Sequence, residues 1–272
     1  LSSSFNIAQN MRDSTLALTM PNLSISLSRL YPFKRKRKVG KDRWYEKIAL
    51  TYTGTLSNSI STKEDQLFKS NLIKDWKNGM KHSIPISASF SIFDYINVTP
   101  SFNYTERWYA RKVMQSYDPT AEGSVRRDTI SGFNRVYNYN MSLQVNTKMY
   151  GFFKPWKMFG DKVQMIRHVF TPSVSFSYAP DFGESRYGYY DTYTYTDTSG
   201  EVRTVEYSPY QGMAFGVPGK GMQKSFNFAI DNNVEMKIKS ESDTTGIKKI
   251  SLIDQLSANI SYNAAAETRP WS

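Results

Sequence analysis

Residues 225–239 read SFNFAIDNNVEMKIK. Phe226, Phe228, Ile230, Val234, Met236 and Ile238 share one phase of a two-residue period, and Asn232 is the one polar member of that phase. Ser225, Asn227, Asp231, Asn233, Glu235 and Lys237 occupy the other. Such alternation specifies a β-strand with one apolar and one polar face. The length is informative too: globular strands run about 5–6 residues, whereas crossing a bilayer at a tilt takes about 9–11.

The same period recurs along the chain. Ile48, Leu50, Tyr52, Gly54 and Leu56 share a face, as do Ile84, Ile86, Ala88, Phe90 and Ile92, then Ile96, Val98, Phe102 and Tyr104. Tyr137, Tyr139, Met141, Leu143 and Val145 follow, then Val174, Phe176 and Tyr178, and finally Leu256, Ala258, Ile260, Tyr262 and Ala264. Near the start, Leu16, Leu18 and Met20 are out of phase with Leu23, Ile25 and Leu27. A bulge at Pro21-Asn22 keeps one face apolar through that switch; the alternative is two separate strands. No sustained helical period occurs.

Opposite the apolar residues stand Ser, Thr, Asn, Gln and Lys. In a soluble sandwich that polar face meets water; in an outer-membrane barrel it lines the lumen while the apolar face meets lipid. Loop lengths favour the barrel. Long connections, residues 57–81, 110–133 and 180–222, alternate with shorter ones near 34–43, 94–95, 149–165 and 240–246, and barrels segregate long loops from short turns in this way. Aromatic residues gather at the strand ends: Tyr31 and Phe33, Trp44 and Tyr45, Phe93 and Tyr95, Trp108 and Tyr109, and Phe152, Phe153, Trp156 and Phe159. Rings at that level suit a membrane–water interface.

Composition sets the boundaries. The chain has no cysteine, which removes disulfide frameworks, thiolate metal sites and thiol nucleophiles, and its two histidines, His82 and His168, have no ligand or triad partner at useful spacing. Both read as structural or interfacial. The apolar share is 39% and the aromatic share 15%, which suits β structure with much surface that is not ordinary core. No uncharged stretch approaches the roughly 20 apolar residues of a spanning helix. The expected fold is all-β, an antiparallel transmembrane β-barrel of roughly 8–10 strands forming an arc of a larger barrel. Residues 1–272 read as one domain, incomplete at both ends and excised from a longer protein.

Chemical motifs are sparse. AFGVPGKG (214–221) imitates a phosphate-binding loop but has Ala for the first Gly and Gly221 where Ser or Thr belongs, so it reads as a flexible Gly/Pro loop. The acids Glu241 and Asp243 read as a solvated hairpin. RYGYYDTYTYTDTSG (186–200) reads as a hairpin within a large loop, with Tyr187, Tyr189 and Tyr190 as candidate glycan-stacking rings. No acid pair suggests hydrolysis and no cofactor is implied.

Three stretches carry a family resemblance: RLYPFKRKRKVGKDRWYEKIALTYTG (29–54), RHVFTPSVSFSYAPDFG (167–183) and KKISLIDQLSANISYNAAAETRPWS (248–272). Each resembles the barrel region of the lipopolysaccharide-assembly outer-membrane protein family LptD, in the form found in Bacteroidota. The resemblance implies no enzyme but a translocon that inserts lipopolysaccharide into the outer leaflet of the cell outer membrane. It also implies an LptE-like lipoprotein plug in the lumen, a periplasmic Lpt bridge component, and contact with outer-membrane lipids. A porin or TonB-dependent-receptor-like barrel, and a glycan-binding surface β protein, are the alternatives.

The tract YPFKRKRKVGK (31–41) then takes on meaning. The net charge of +11 favours anionic partners, and residues 34–43 alone hold seven basic residues against one acid. Between two strands, on the shorter-loop side, Lys34, Arg35, Lys36, Arg37, Lys38 and Lys41 are candidates for lipid phosphate; a solvated turn is the alternative. Nucleic acid is not expected, because no recognition module accompanies the tract.

Overall fold

The stretch at 225–239 lies within one strand of a broad antiparallel sheet. The computed structural model describes residues 1–12, 14–37, 39–63, 66, 69, 75–121, 124–154, 162–240 and 246–272. Its strands are β1 (Ser2–Asn10), β2 (Thr15–Leu30), β3 (Ala49–Lys63), β4 (Lys77–Ser87), β5 (Phe90–Ile92), β6 (Ile96–Tyr117) and β7 (Val125–Thr147). Then follow β8 (Met149–Phe153), β9 (Val163–Ala179), β10 (Asp191–Thr196), β11 (Val202–Tyr207), β12 (Gln223–Lys239) and β13 (Ile247–Asn263).

The main path runs β1-β2-β3-β4-β6-β7-β9-β12-β13, and each pair along it is antiparallel. Strand β5 prolongs β4 along β6, since Ser87 faces Ser101 and Phe90 faces Val98 in one register. In the same way β8 prolongs β7 along β9. An up-and-down meander of this kind, unclosed between β1 and β13, is an arc of a β-barrel.

The phase switch in β2 is a bulge. Thr19 faces Ser59 and Asn22 faces Ser57, so Met20 and Pro21 together oppose one residue of β3. Leu16 and Leu18 therefore share a face with Leu23 and Ile25. A second bulge sits where Leu27 faces Tyr52 and Leu30 faces Leu50. Sequence alternation gave no sign of it.

The strand ends that border 31–48, 93–95, 154–162 and 240–246 lie at one end of the sheet, and those that border 11–14, 64–76, 118–124 and 180–222 at the other. The tight turn at 93–95 has positive φ at both Phe93 (53°) and Asp94 (61°), the I′ geometry that follows the twist of a hairpin. The expected long loop at 110–133 is instead mostly strand: Arg111 faces Ser131 and Tyr117 faces Val125, leaving only 118–124 between β6 and β7. The charges there (Arg111, Lys112, Arg126, Arg127, Asp128) obscured the alternation, because neither face of this segment needs to be apolar. Likewise 57–81 shrinks to 64–76, and part of 149–165 becomes β8. The long 180–222 loop stands as expected and contains the β10–β11 hairpin.

Candidate functional site

Directly opposed residues of an antiparallel ladder point to the same face, so the register sorts the side chains. One face collects Ile86, Phe102, Met141 and Tyr178 in one row and Phe176, Phe226 and Tyr262 in another. These groups are not a core. Leu143 is 40% exposed, Ile230 40% and Leu256 60%, and exposed apolar residues repeated across neighbouring strands mark a surface that meets lipid or a partner.

The other face is a hydrogen-bonding surface. Ser101 meets Ser142 at 2.6 Å, Asn103 donates to Asn140 at 2.8 Å, Ser177 meets Ser225 at 2.7 Å and Ser261 donates to Asn227 at 2.8 Å. Because these partners are neutral, short side chains, each pair exchanges readily with water or a sugar hydroxyl.

Aromatic rings bound the apolar band. At the long-loop end Tyr52 bonds His82 Nδ1 at 2.8 Å, the His82 ring lies 4.2 Å from Trp108, and Trp108 meets Phe133 at 5.7 Å. Arg135 pairs there with Glu106, which also accepts from Tyr104 and from Trp108 Nε1. At the other end Tyr31, Phe33, Phe93 and Tyr95 are exposed, and Trp44 stands against Tyr45 and Phe90. From Tyr104 to Tyr95 is about 30 Å along the strand, or roughly 23 Å at a barrel tilt, near the height of an outer-membrane apolar band.

Tyr109 is a correction. The strand turns it to the polar face, where it is 1% exposed and donates to the Gly216 carbonyl at 2.6 Å. Trp156 lies outside the described residues, as do Phe159, Lys38, Glu241 and Asp243. His168 is held across the sheet by Asn232 at 3.0 Å.

The loop 180–222 folds onto this polar face. Tyr109, Val136, Phe182, Tyr189, Tyr210 and Met213 form its buried cluster. Arg107 donates to the Phe215 carbonyl at 3.2 Å and to Asn138 at 2.7 Å, so the AFGVPGKG stretch is pinned rather than loose. A Cβ on Gly79 would stand 3.1 Å from both Phe215 and Tyr109, which is why β4 carries glycine there.

Tyr189 is also a correction. It is 2% exposed, which leaves no open ring face for a glycan. Its hydroxyl accepts from the Tyr137 amide at 2.7 Å and donates to the Tyr137 carbonyl at 2.9 Å, closing the edge of β7 where β9 no longer pairs. Burial pushes the phenol up to about 12. Tyr190 donates to the Pro218 carbonyl at 2.7 Å under the Lys220 ammonium, and Tyr187 packs on Phe182.

The basic connection is more ordered than its composition suggests. A short 3-10 helix, Trp44–Lys47, buries Glu46. Arg35 grips that carboxylate through Nε at 2.6 Å and through its terminal nitrogen at 2.9 Å, while the Arg43 amide donates at 2.7 Å. The Arg35 hydrogen bond leads in holding Glu46 near 2. Arg35 is thereby committed to Glu46. Lys36, Arg37 and Lys41 are exposed, and Lys34 stands over the Tyr31 ring. Lys34 also lines a polar cavity with Arg29 and Lys47. Those two lie just outside the dense tract, so charge density alone did not single them out.

A sheet with an exposed apolar face, a hydrogen-bonding face and aromatic rows a membrane's thickness apart defines an outer-membrane β-barrel protein. The chain belongs to the LptD family, whose model, described as LptD protein, matches residues 1–272. No curated protein and no solved structure matches it. Membership makes this an outer-membrane protein of lipopolysaccharide transport and assembly, binding lipopolysaccharide and working with the Lpt machinery.

Proposed function

We propose that this chain forms part of the wall of the translocon that inserts lipopolysaccharide into the outer leaflet. The observation that carries this reading is the pairing of the two faces. Acyl chains travel with the apolar side, while the saccharide crosses the lumen against Ser101, Asn103, Asn140 and Ser142, whose hydrogen bonds exchange one for another. The work is transport, with no bond made or broken. The 180–222 loop stands on the extracellular side and the basic connection on the periplasmic side, in keeping with the long loops of outer-membrane barrels. An LptE-like lipoprotein in the lumen and a periplasmic Lpt bridge component complete the assembly.

A photoreactive residue at Asn103 or Asn140 tests the route. Crosslinks to the saccharide of lipopolysaccharide in growing cells are expected there, and their absence at both positions would remove the lumenal route. Depletion of the protein that left surface lipopolysaccharide unchanged would sink the translocon reading in favour of a porin-like barrel.

A further inference from the structure

The rim at the basic connection carries two cavities that meet at one wall. The first, about 440 Å³, lies on the polar side between Arg29, Lys34, Lys47 and Ser87. The second, about 330 Å³, is a groove on the apolar side beneath Trp44, lined by Ile86, Phe90, Phe102 and Met141. Both are bounded by Ser87 and Ala88, and the 3-10 helix contributes Trp44 to one and Lys47 to the other. The wall is thin there for a reason in the topology. The β3–β4 ladder ends at the Ala49–Ser87 pair, and among the described residues β5 has a partner only on its β6 side.

The polar cavity is electropositive. Glu46 is spent on Arg35 and the Arg43 amide, and Asp42 is the other acid of the lining. Among the described residues none of Arg29, Lys34 and Lys47 has an ion-pair partner. Arg29 arrives there through the second bulge of β2. A cationic hollow beside an apolar groove, at the level of the interfacial rings Tyr31 and Trp44, is complementary to a molecule with a phosphate at one end and a hydrocarbon chain at the other.

We propose that this rim holds a phosphate-bearing glycerolipid of the surrounding leaflet, with its phosphate against Arg29, Lys34 and Lys47 and an acyl chain in the groove beneath Trp44. The lipid straddles the gap between β3 and β5 and closes the sheet where the ladder stops. The proposal rests on the membrane-spanning reading of the sheet. It does not need the translocon reading.

Native mass spectrometry of the full-length protein, released from its membrane in mild detergent and titrated with phosphatidylglycerol, tests it. The triple variant Arg29→Gln, Lys34→Gln, Lys47→Gln is expected to weaken binding by about fivefold per cation removed. Lys36→Gln, Arg37→Gln, Lys41→Gln removes the same charge from the adjoining 31–48 connection, outside the cavity, and is expected to change binding less than about twofold. Ile86→Trp, which fills the groove, is expected to weaken both phosphatidylglycerol and a diacylglycerol of the same chains. The cation triple should leave the diacylglycerol unaffected.

Equal losses in the two triple variants would overturn the proposal in favour of diffuse surface charge. So would a cation triple that kept its phospholipid but lost crosslinking to lipopolysaccharide, because the cavity would then belong to the transport route. Should depletion of the wild-type protein leave surface lipopolysaccharide unchanged, the translocon reading fails and the phospholipid titration still stands.

Discussion

Single side chains at the edges of the sheet carry more consequence than those in its middle. Tyr189→Phe keeps the ring and removes the hydroxyl that serves both polar groups of Tyr137. Leaving them unmet costs about 1–3 kcal/mol, and hydrogen exchange at the Tyr137 amide is expected to accelerate while the rest of β7 stays protected. Glu46 gives a pH signature. Its folded value near 2 lies below the ordinary 4.5, so its contribution is complete above pH 4.5 and is lost as pH falls toward 2. Proteolysis of the 31–48 connection is expected to rise across that window, and Glu46→Gln should abolish the pH dependence.

Among the elements, the long loop is the one whose position depends on a neighbour's smallness. Gly79→Val would place carbon within 3.1 Å of Phe215 and Tyr109. The loop is expected to lift from the polar face, seen as new protease cleavage between residues 208 and 218 with the strands intact. The strands themselves were the legible part of the sequence. The alternation from Phe226 to Ile238 and the bulge at Pro21 could be read because one face must be apolar against lipid. Beyond the membrane that demand ends, so the outer halves of β6 and β7 carry charge on a β backbone and read as loop. Tyr109 and Tyr189 were misplaced for a related reason. A tyrosine at a strand end packs against lipid, water or a folded loop, and only the loop's path decides among them.

For the whole molecule, the balance between its buried cluster and its exposed apolar face determines how it can be handled. Leu143→Arg or Ile230→Lys, placed in the apolar band, is expected to cost roughly 2–4 kcal/mol of stability in a bilayer, measured by unfolding from liposomes. The matching change on the polar face, Asn140→Lys, should cost much less. Extraction from membranes is expected to require detergent, and release in buffer alone would refute the transmembrane fold.

The paired outer halves of β6 and β7 give the protein a mast. From Tyr109 to Tyr117 the hairpin rises about 26 Å further along the strand, braced at its side where Val113 donates to the Pro209 carbonyl and Tyr117 stacks on Tyr195. On the extracellular assignment, it carries residues 118–121 clear of the headgroups and into the saccharide layer. An antibody or a phage descending through that layer is then expected to meet the described tip residues, Asp118 to Ala121, before the membrane-spanning strands of the wall below.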